Sequence, residues 1–144
     1  MARFDPYFNF AGKAEEAIRF YQTVFGGKVD VVRFADFPGG TAGLSEAEGG
    51  LSMHASLQLP GGGLLMASDV PEQRGGVTFG NATHVMIGAE SAAEARQVFE
   101  RLSDGAERVT EPLGETGFAE LYASLQDRYG IHWMVFFAGN KAPS

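Results

Sequence analysis

The sequence repeats one order of predicted secondary structure twice, and this repeat constrains the fold more than any other feature. In each half an alternating strand is followed by an amphipathic helix that ends at glycine, and three further strands come after it. The second helix opens with Ser91 and Glu94, the spacing of a capping box. Strands are predicted at 4–10, 29–37, 52–59, 64–69, 83–88, 108–113, 118–126 and 132–137, and helices at 13–25 and 91–104.

An alignment of the two helices supports the repeat. Setting Glu16 on Glu94 gives an offset of 94 − 16 = 78, which places Gly27 on Gly105 and Phe8 on Met86 without a gap. A unit of this kind leaves one sheet face that it cannot cover alone. We therefore predict an α+β fold of tandem βαβββ modules, about residues 1–70 and 82–138 of a single domain 1–144. The modules are expected to form a cup-shaped mixed sheet with helices outside and a ligand cleft within.

The composition limits the compartment and the chemistry. No apolar run approaches the roughly 20 residues of a membrane helix, and the first ten residues lack the pattern of a secretion signal. We therefore expect a soluble, cytoplasmic protein. The sequence contains no cysteine, which excludes disulfides, thiolate nucleophiles and cysteine-bound zinc.

The charge pattern limits the partners. The formal net charge is −7, and acidic and basic residues are dispersed along the chain. Without a basic stripe the sequence offers little to neutralise phosphates, so it predicts neither a nucleic-acid nor a membrane partner. Small molecules and other proteins remain as partners.

Three polar residues alternate on the predicted strand 52–59. His54, Ser56 and Gln58 would share one face, because side chains two apart in a strand point the same way. Tyr7 and Asn9 project together from the first strand and are expected to join them. This surface is either the floor of a ligand pocket or a solvent-facing strand surface, and the sequence leaves both open.

Several short motifs occur in the order that one known branch of proteins shows. They resemble the PhnB-like branch of the glyoxalase, bleomycin-resistance and extradiol-dioxygenase superfamily, also called the vicinal oxygen chelate fold. The motifs are Pro6-Tyr7-Phe8-Asn9-Phe10, Glu15-Glu16-Ala17-Ile18, Met53-His54-Ala55-Ser56-Leu57, Leu65-Met66-Ala67-Ser68-Asp69 and Asp127-Arg128-Tyr129-Gly130. The resemblance implies paired βαβββ modules and a homodimer. It does not imply one reaction, because the superfamily includes isomerases, dioxygenases, thiol transferases and drug-sequestering proteins.

The resemblance also implies where a divalent metal would bind. Catalytic members use His, Gln or Glu from the first and last strands of each module. The second module offers His84 and Met134 at these positions, and the offset of 78 gives Pro6 and Met66 in the first. Thioethers and proline are poor donors for such metals. We therefore predict no cofactor and no intact metal site, with a divalent metal at His84 as the alternative.

Two functions follow from these observations. The first is the binding of a small organic ligand without a complete metal site, through Tyr7, Asn9, His54, Ser56, Gln58, His84 and Met134. The second is a metal-dependent glyoxalase or dioxygenase that uses His84 with non-standard ligands, from the set His54, His132, Glu111, Glu115 and Glu120. A methyltransferase has no support, because the sequence lacks a glycine-rich cofactor loop of the nucleotide-binding type.

Overall fold

A computed structural model describes residues 1–142, and these form two compact units, 1–78 and 79–142. Within the described residues no helix has the length and apolar character needed to cross a bilayer. The first unit comprises β1 (Tyr7–Phe10), α1 (Ala14–Phe25), β2 (Lys28–Arg33), β3 (Ser52–Gln58) and β4 (Leu64–Asp69). The second comprises β5 (Val85–Gly88), α2 (Ala92–Leu102), β6 (Arg108–Gly114), β7 (Leu121–Gln126) and β8 (His132–Phe137).

Each unit contains one four-stranded mixed sheet with the same topology. The strand order is β1-β4-β3-β2 in the first unit and β5-β8-β7-β6 in the second. The first strand of each unit pairs in parallel with the last, and the other pairs are antiparallel. The predicted α+β fold of tandem βαβββ modules is confirmed.

One face of each sheet is buried beneath the helix of its unit. The helix α1 packs on β3 and β4 and buries Ala17, Ile18 and Tyr21 completely. Because strand side chains alternate, this face takes Leu57 and Leu65, while their neighbours point to the opposite face. In the second unit α2 packs on β7 and β8 over Leu125, Trp133 and Val135.

The two helices begin with different caps. The helix α1 has no side-chain cap of its own; instead the buried carboxylate of Asp69 accepts hydrogen bonds from the N–H groups of Gly12 (2.8 Å) and Ala14 (3.0 Å). Before α2 the Ser91 hydroxyl accepts from the Glu94 N–H (3.0 Å), as the capping box predicts. Each solution satisfies N–H groups that a helix start leaves without partners.

The internal alignment with a constant offset of 78 is wrong by one residue in the first strand. In β1 it is Tyr7 that pairs with Met66, whereas in β5 Met86 pairs with Met134. Met86 therefore corresponds to Tyr7 rather than to Phe8. The difference arises between the paired strand residue and the helix, since Tyr7 lies seven positions before Ala14 whereas Met86 lies six positions before Ala92.

Five predicted strands are longer than the observed ones, 52–59 by one residue only, and at β1 and β2 side chains take over the backbone hydrogen bonds at the strand ends. The carboxylate of Asp5 accepts the Leu64 N–H at 3.1 Å, so the ladder of β1 starts after Pro6. The carboxylate of Asp36 accepts the Arg33 N–H and ends β2 in a short 3₁₀ turn. The predicted strands 83–88 and 118–126 begin late, at Val85 and Leu121.

The glycines predicted to stop the helices have the required conformation. Gly27 has φ +104° and Gly105 has φ +70°, a region that favours glycine. A Cβ at Gly27 would lie 2.2 Å from the carbonyl oxygen of Gln58, so this residue also permits the close approach of α1 to β3. The predicted end of α1 is confirmed, and at Gly27 the sheet adds a second reason for glycine, whereas α2 ends at Leu102, two residues before the predicted end.

The Asp69 carboxylate also accepts the Ser52 N–H at 3.0 Å. We expect Asp69→Asn to lower the free energy of unfolding by about 3 kcal/mol, since it removes the charge from three hydrogen bonds, two of them buried, and presents an amide to backbone N–H groups. Chemical denaturation with urea measures the change. Asp30→Asn is the matched control, because Asp30 is exposed on β2 of the same sheet and should shift stability by less than about 0.5 kcal/mol. Equal losses in the two variants would contradict the role of Asp69.

Candidate functional site

The face of the first sheet opposite to α1 is called its open face. It contains the residues of this unit that the sequence predicts to bind a ligand. Alternation places Tyr7 and Asn9 of β1 on this face beside Met66 and Ser68 of β4, with which they pair. His54, Ser56 and Gln58 of β3 lie on the same face. All five predicted residues are exposed or half-buried, and the structure therefore brings them onto one surface.

Three side chains on this open face are directly linked. The Tyr7 hydroxyl lies 3.3 Å from Nδ1 of His54 and also hydrogen-bonds the hydroxyl of Ser68. The Ser68 hydroxyl in turn donates to the carbonyl oxygen of Met53 at 2.8 Å. Ser68 is not among the residues predicted from the sequence, although its position two residues after Met66 places it on the same face.

The open face of the second sheet brings two histidines together. His84 precedes β5 and His132 begins β8, and their ring centroids are 5.0 Å apart. The Nε2 atom of His132 donates to the carbonyl oxygen of Gly80 at 3.0 Å. Met134 lies two residues farther along β8, half-buried and paired with Ser124. Both residues predicted in this unit, His84 and Met134, therefore lie on its open face.

A pocket of about 480 Å³ opens at the histidine end of this face. Its polar lining comes from β6, β7, β8 and the segment before β5, and none of the described residues that line it is Asp or Glu. Arg108 supplies a guanidinium for which the described residues offer no ion-pair partner. The polar side chains are those of Asn81, His84, Arg108, Thr110, Gln126 and His132.

Four of these pocket residues, Asn81, Arg108, Thr110 and Gln126, were missed in the sequence. A signal for Gln126 exists, because Ala55-Ser56-Leu57-Gln58 is repeated identically at 123–126. Gln126 is thus the counterpart of Gln58, which was selected. No sequence pattern marks Arg108 and Thr110, because they enter the pocket through the pairing of β6 with β7, which shifts register between Val109 and Glu111.

Aromatic side chains occupy the other end of the same open face. Phe136 of β8 and Tyr122 of β7 are paired across the strands, and Phe118 lies close to both. The rings of Phe118 and Phe136 are stacked with centroids 6.5 Å apart, and Phe118 meets Tyr122 edge-on at 5.1 Å. The face therefore changes from polar at His132 to aromatic at Phe136, over about 13 Å of strand.

The residues at the metal positions differ from the predicted set in one place. With the corrected register, His84 corresponds to Asp5 rather than to Pro6, so both first-strand positions carry a ligating type. Hydrogen bonds from the Leu64 N–H and from Arg3 hold the pKa of the Asp5 carboxyl below its usual value, and Arg3 also forms an ion pair with it at 3.0 Å.

These positions do not fit the divalent metal that the resemblance implies. The last-strand positions are Met66 and Met134, as predicted from the equivalent hairpins. Of the alternative ligands, Glu115 pairs with Lys141 and Glu120 accepts the Asn140 N–H. Across residues 1–142 no three His, Asp or Glu side chains converge as a metal would require.

Known proteins share this fold over nearly the whole chain. The crystal structure of protein PA1353 from Pseudomonas aeruginosa superposes with a TM-score of 0.84 at 30% identity, covering 95% of this chain and 98% of that one. A Bacillus cereus structure, described as a putative 3-demethylubiquinone-9 3-methyltransferase, PhnB protein, gives a TM-score of 0.72 at 26% identity and covers 95% and 100%.

A curated relative is more distant in sequence. Protein YjdN of Escherichia coli (strain K12) is 22% identical over 138 residues, which are 90% of this chain and 91% of that protein. The predicted resemblance to PhnB-like proteins is confirmed by these comparisons. The family model of the Glyoxalase/Bleomycin resistance protein/Dioxygenase superfamily matches residues 3–135, and the chain therefore belongs to that superfamily.

Proposed function

We propose that this protein binds a small organic anion on the open face of its second sheet, without the complete metal site of the catalytic members of its superfamily. The observation that carries the proposal is the pocket of about 480 Å³, in which Arg108 and five other hydrogen-bonding side chains line the wall and none of the described lining residues is Asp or Glu. A pocket with convergent polar groups is the usual form of a ligand site.

The charge of the pocket favours an anionic group. The whole chain carries a formal charge of −7, yet the polar lining of this pocket contains one cation and no anion. Arg108 can form two parallel hydrogen bonds to a carboxylate, and the Thr110 hydroxyl and the Gln126 amide add donors beside it. The exposed carboxylate of Glu111 is paired opposite Ser124 and does not line the pocket.

The aromatic end of the face supports a ligand with an apolar body. Phe118, Tyr122 and Phe136 form a continuous ring surface, and Phe118 is 58% exposed. Met134 lies between this surface and the histidines, and its flexible thioether adapts to irregular shapes. A ligand with an anionic head at Arg108 and an aromatic or aliphatic body toward Phe136 would use both ends.

We expect benzoate to bind in the pocket and to shift the ring resonances of His84 and His132, whereas neutral benzamide, which has the same ring, binds more weakly. Arg108→Gln should weaken benzoate at least about tenfold, equivalent to 1.4 kcal/mol, because it removes the only cation of the lining. Arg96→Gln, on the exposed surface of α2, is the charge-matched control. Equal affinity of benzoate for both variants would overturn the proposal.

His84→Ala separates this function from the metal-dependent alternative. We expect purified protein to retain little divalent metal by elemental analysis, and His84→Ala to leave that content and the fold unchanged, because Asp5, Met66 and Met134 complete no ligand set. Benzoate affinity should fall by about fivefold, as for the loss of one hydrogen bond. If the purified protein instead carries near-stoichiometric metal and His84→Ala removes it, the metal-dependent alternative replaces this proposal.

The protein is also proposed to form a homodimer. Exposed apolar side chains outside the His54 surface, among them Phe37 (53% exposed) and Met86 (59%), favour association, since a small acidic monomer would leave them in water. Light scattering should give twice the chain mass of 15.4 kDa at micromolar concentration. A monodisperse species with the mass of one chain would contradict this expectation.

A further inference from the structure

The open face of the first unit contains a hydrogen-bond chain whose direction can be worked out from donors and acceptors. The chain runs from His54 through Tyr7 and Ser68 to the carbonyl oxygen of Met53. A carbonyl oxygen only accepts, so the single hydroxyl hydrogen of Ser68 points to Met53. The Ser68 oxygen is then the acceptor in its bond with Tyr7.

The same reasoning fixes the next two members. Tyr7 has one hydroxyl hydrogen, and Ser68 receives it, so the phenolic oxygen of Tyr7 accepts from its other neighbour. That neighbour is Nδ1 of His54, at 3.3 Å. His54 therefore carries its hydrogen on Nδ1, and the neutral ring has a free lone pair on Nε2.

The free nitrogen faces solvent. Every buried side-chain nitrogen or oxygen of the described residues has a hydrogen-bond partner. Nε2 of His54 has no partner among these residues, so it is not one of the buried atoms. The atom is therefore accessible on the open face. Asp30 of β2 adds an acceptor nearby, because it is paired with Ser56, two residues along β3 from His54. Val32, paired with His54 itself, provides an apolar wall.

We propose that this surface is a second ligand site, in which Nε2 of His54 accepts a hydrogen bond from a hydroxyl or amine group of a small molecule. Tyr7 and Ser68 are positioning residues, because they hold the ring in the tautomer that leaves Nε2 as an acceptor. The chemistry is opposite to that of the pocket in the second unit, where Arg108 favours a ligand that accepts. The two sites use different residues, so a test that excludes one of them leaves the other unaffected.

Nitrogen NMR of histidine-labelled protein tests the tautomer, at a pH where the rings are neutral. We expect the Nδ1–H pattern for His54. His132 serves as an internal reference with the opposite pattern, because its Nε2 donates to Gly80. An Nε2–H pattern for His54 in the wild-type protein would overturn the proposal.

Two variants test how the tautomer is held. Tyr7→Phe should produce a mixture of tautomers at His54, since the acceptor for Nδ1–H is lost. Ser68→Ala should reverse the tautomer, because the freed Tyr7 hydroxyl then donates to Nδ1. Tyr122→Phe removes a hydroxyl from the other sheet and should leave His54 unchanged. An unaltered His54 pattern in both Tyr7→Phe and Ser68→Ala would refute the positioning role.

Phenol and anisole distinguish an acceptor site from general affinity for aromatic rings. Phenol donates a hydrogen bond, whereas anisole has the same ring with a methylated oxygen. We expect phenol to shift the Nε2 resonance of His54 and anisole to leave it in place, and Ser68→Ala to weaken phenol about fivefold. Equal shifts from both compounds, or none from phenol, would exclude the proposed site without affecting the benzoate pocket.

Discussion

The buried carboxylate of Asp69 connects more of the first unit than any other group. Its oxygens accept the N–H groups of Gly12, Ala14 and Ser52, so one side chain at the end of β4 fixes the start of α1 and the start of β3. Charge-assisted bonds to backbone N–H groups compensate the cost of burying the carboxylate. Because α1 is anchored there, the face of the sheet beneath it is buried and the opposite face stays open.

The second unit reaches the same topology with a different anchor. Asp127 lies fully buried in the turn between β7 and β8, where its carboxylate accepts the N–H groups of Tyr129 and Ile131 and the indole N–H of Trp133 at 2.8 Å. This carboxylate fixes the hairpin and not the start of the helix. The first turn of α2 is capped by Ser91 instead. The two open faces are therefore held by independent sets of bonds, and their side chains were free to diverge in chemistry.

That divergence is visible at corresponding positions of the two sheets. Leu64 and His132 are counterparts in the last strands, as are Asp5 and His84 before the first strands. In the first unit Asp5 is engaged by Leu64 and Arg3, whereas in the second the two histidines lie against each other beside a pocket. The same backbone thus presents an acceptor surface around His54 in one unit and a donor pocket around Arg108 in the other.

The sequence by itself determined the tandem modules, both helices with the end of α1 and the cap of α2, and the shared face of His54, Ser56 and Gln58, because these depend on local periodicity, capping and glycine conformation. Only the tertiary structure decided what touches those residues. Ser68 meets Tyr7 through a parallel pairing between strands more than fifty residues apart, and Arg108 lines the pocket because β6 pairs it with Gln126, a contact that no local pattern encodes. The one-residue error in the internal alignment has the same origin, since strand register is set by pairing across the sheet rather than by neighbours along the chain.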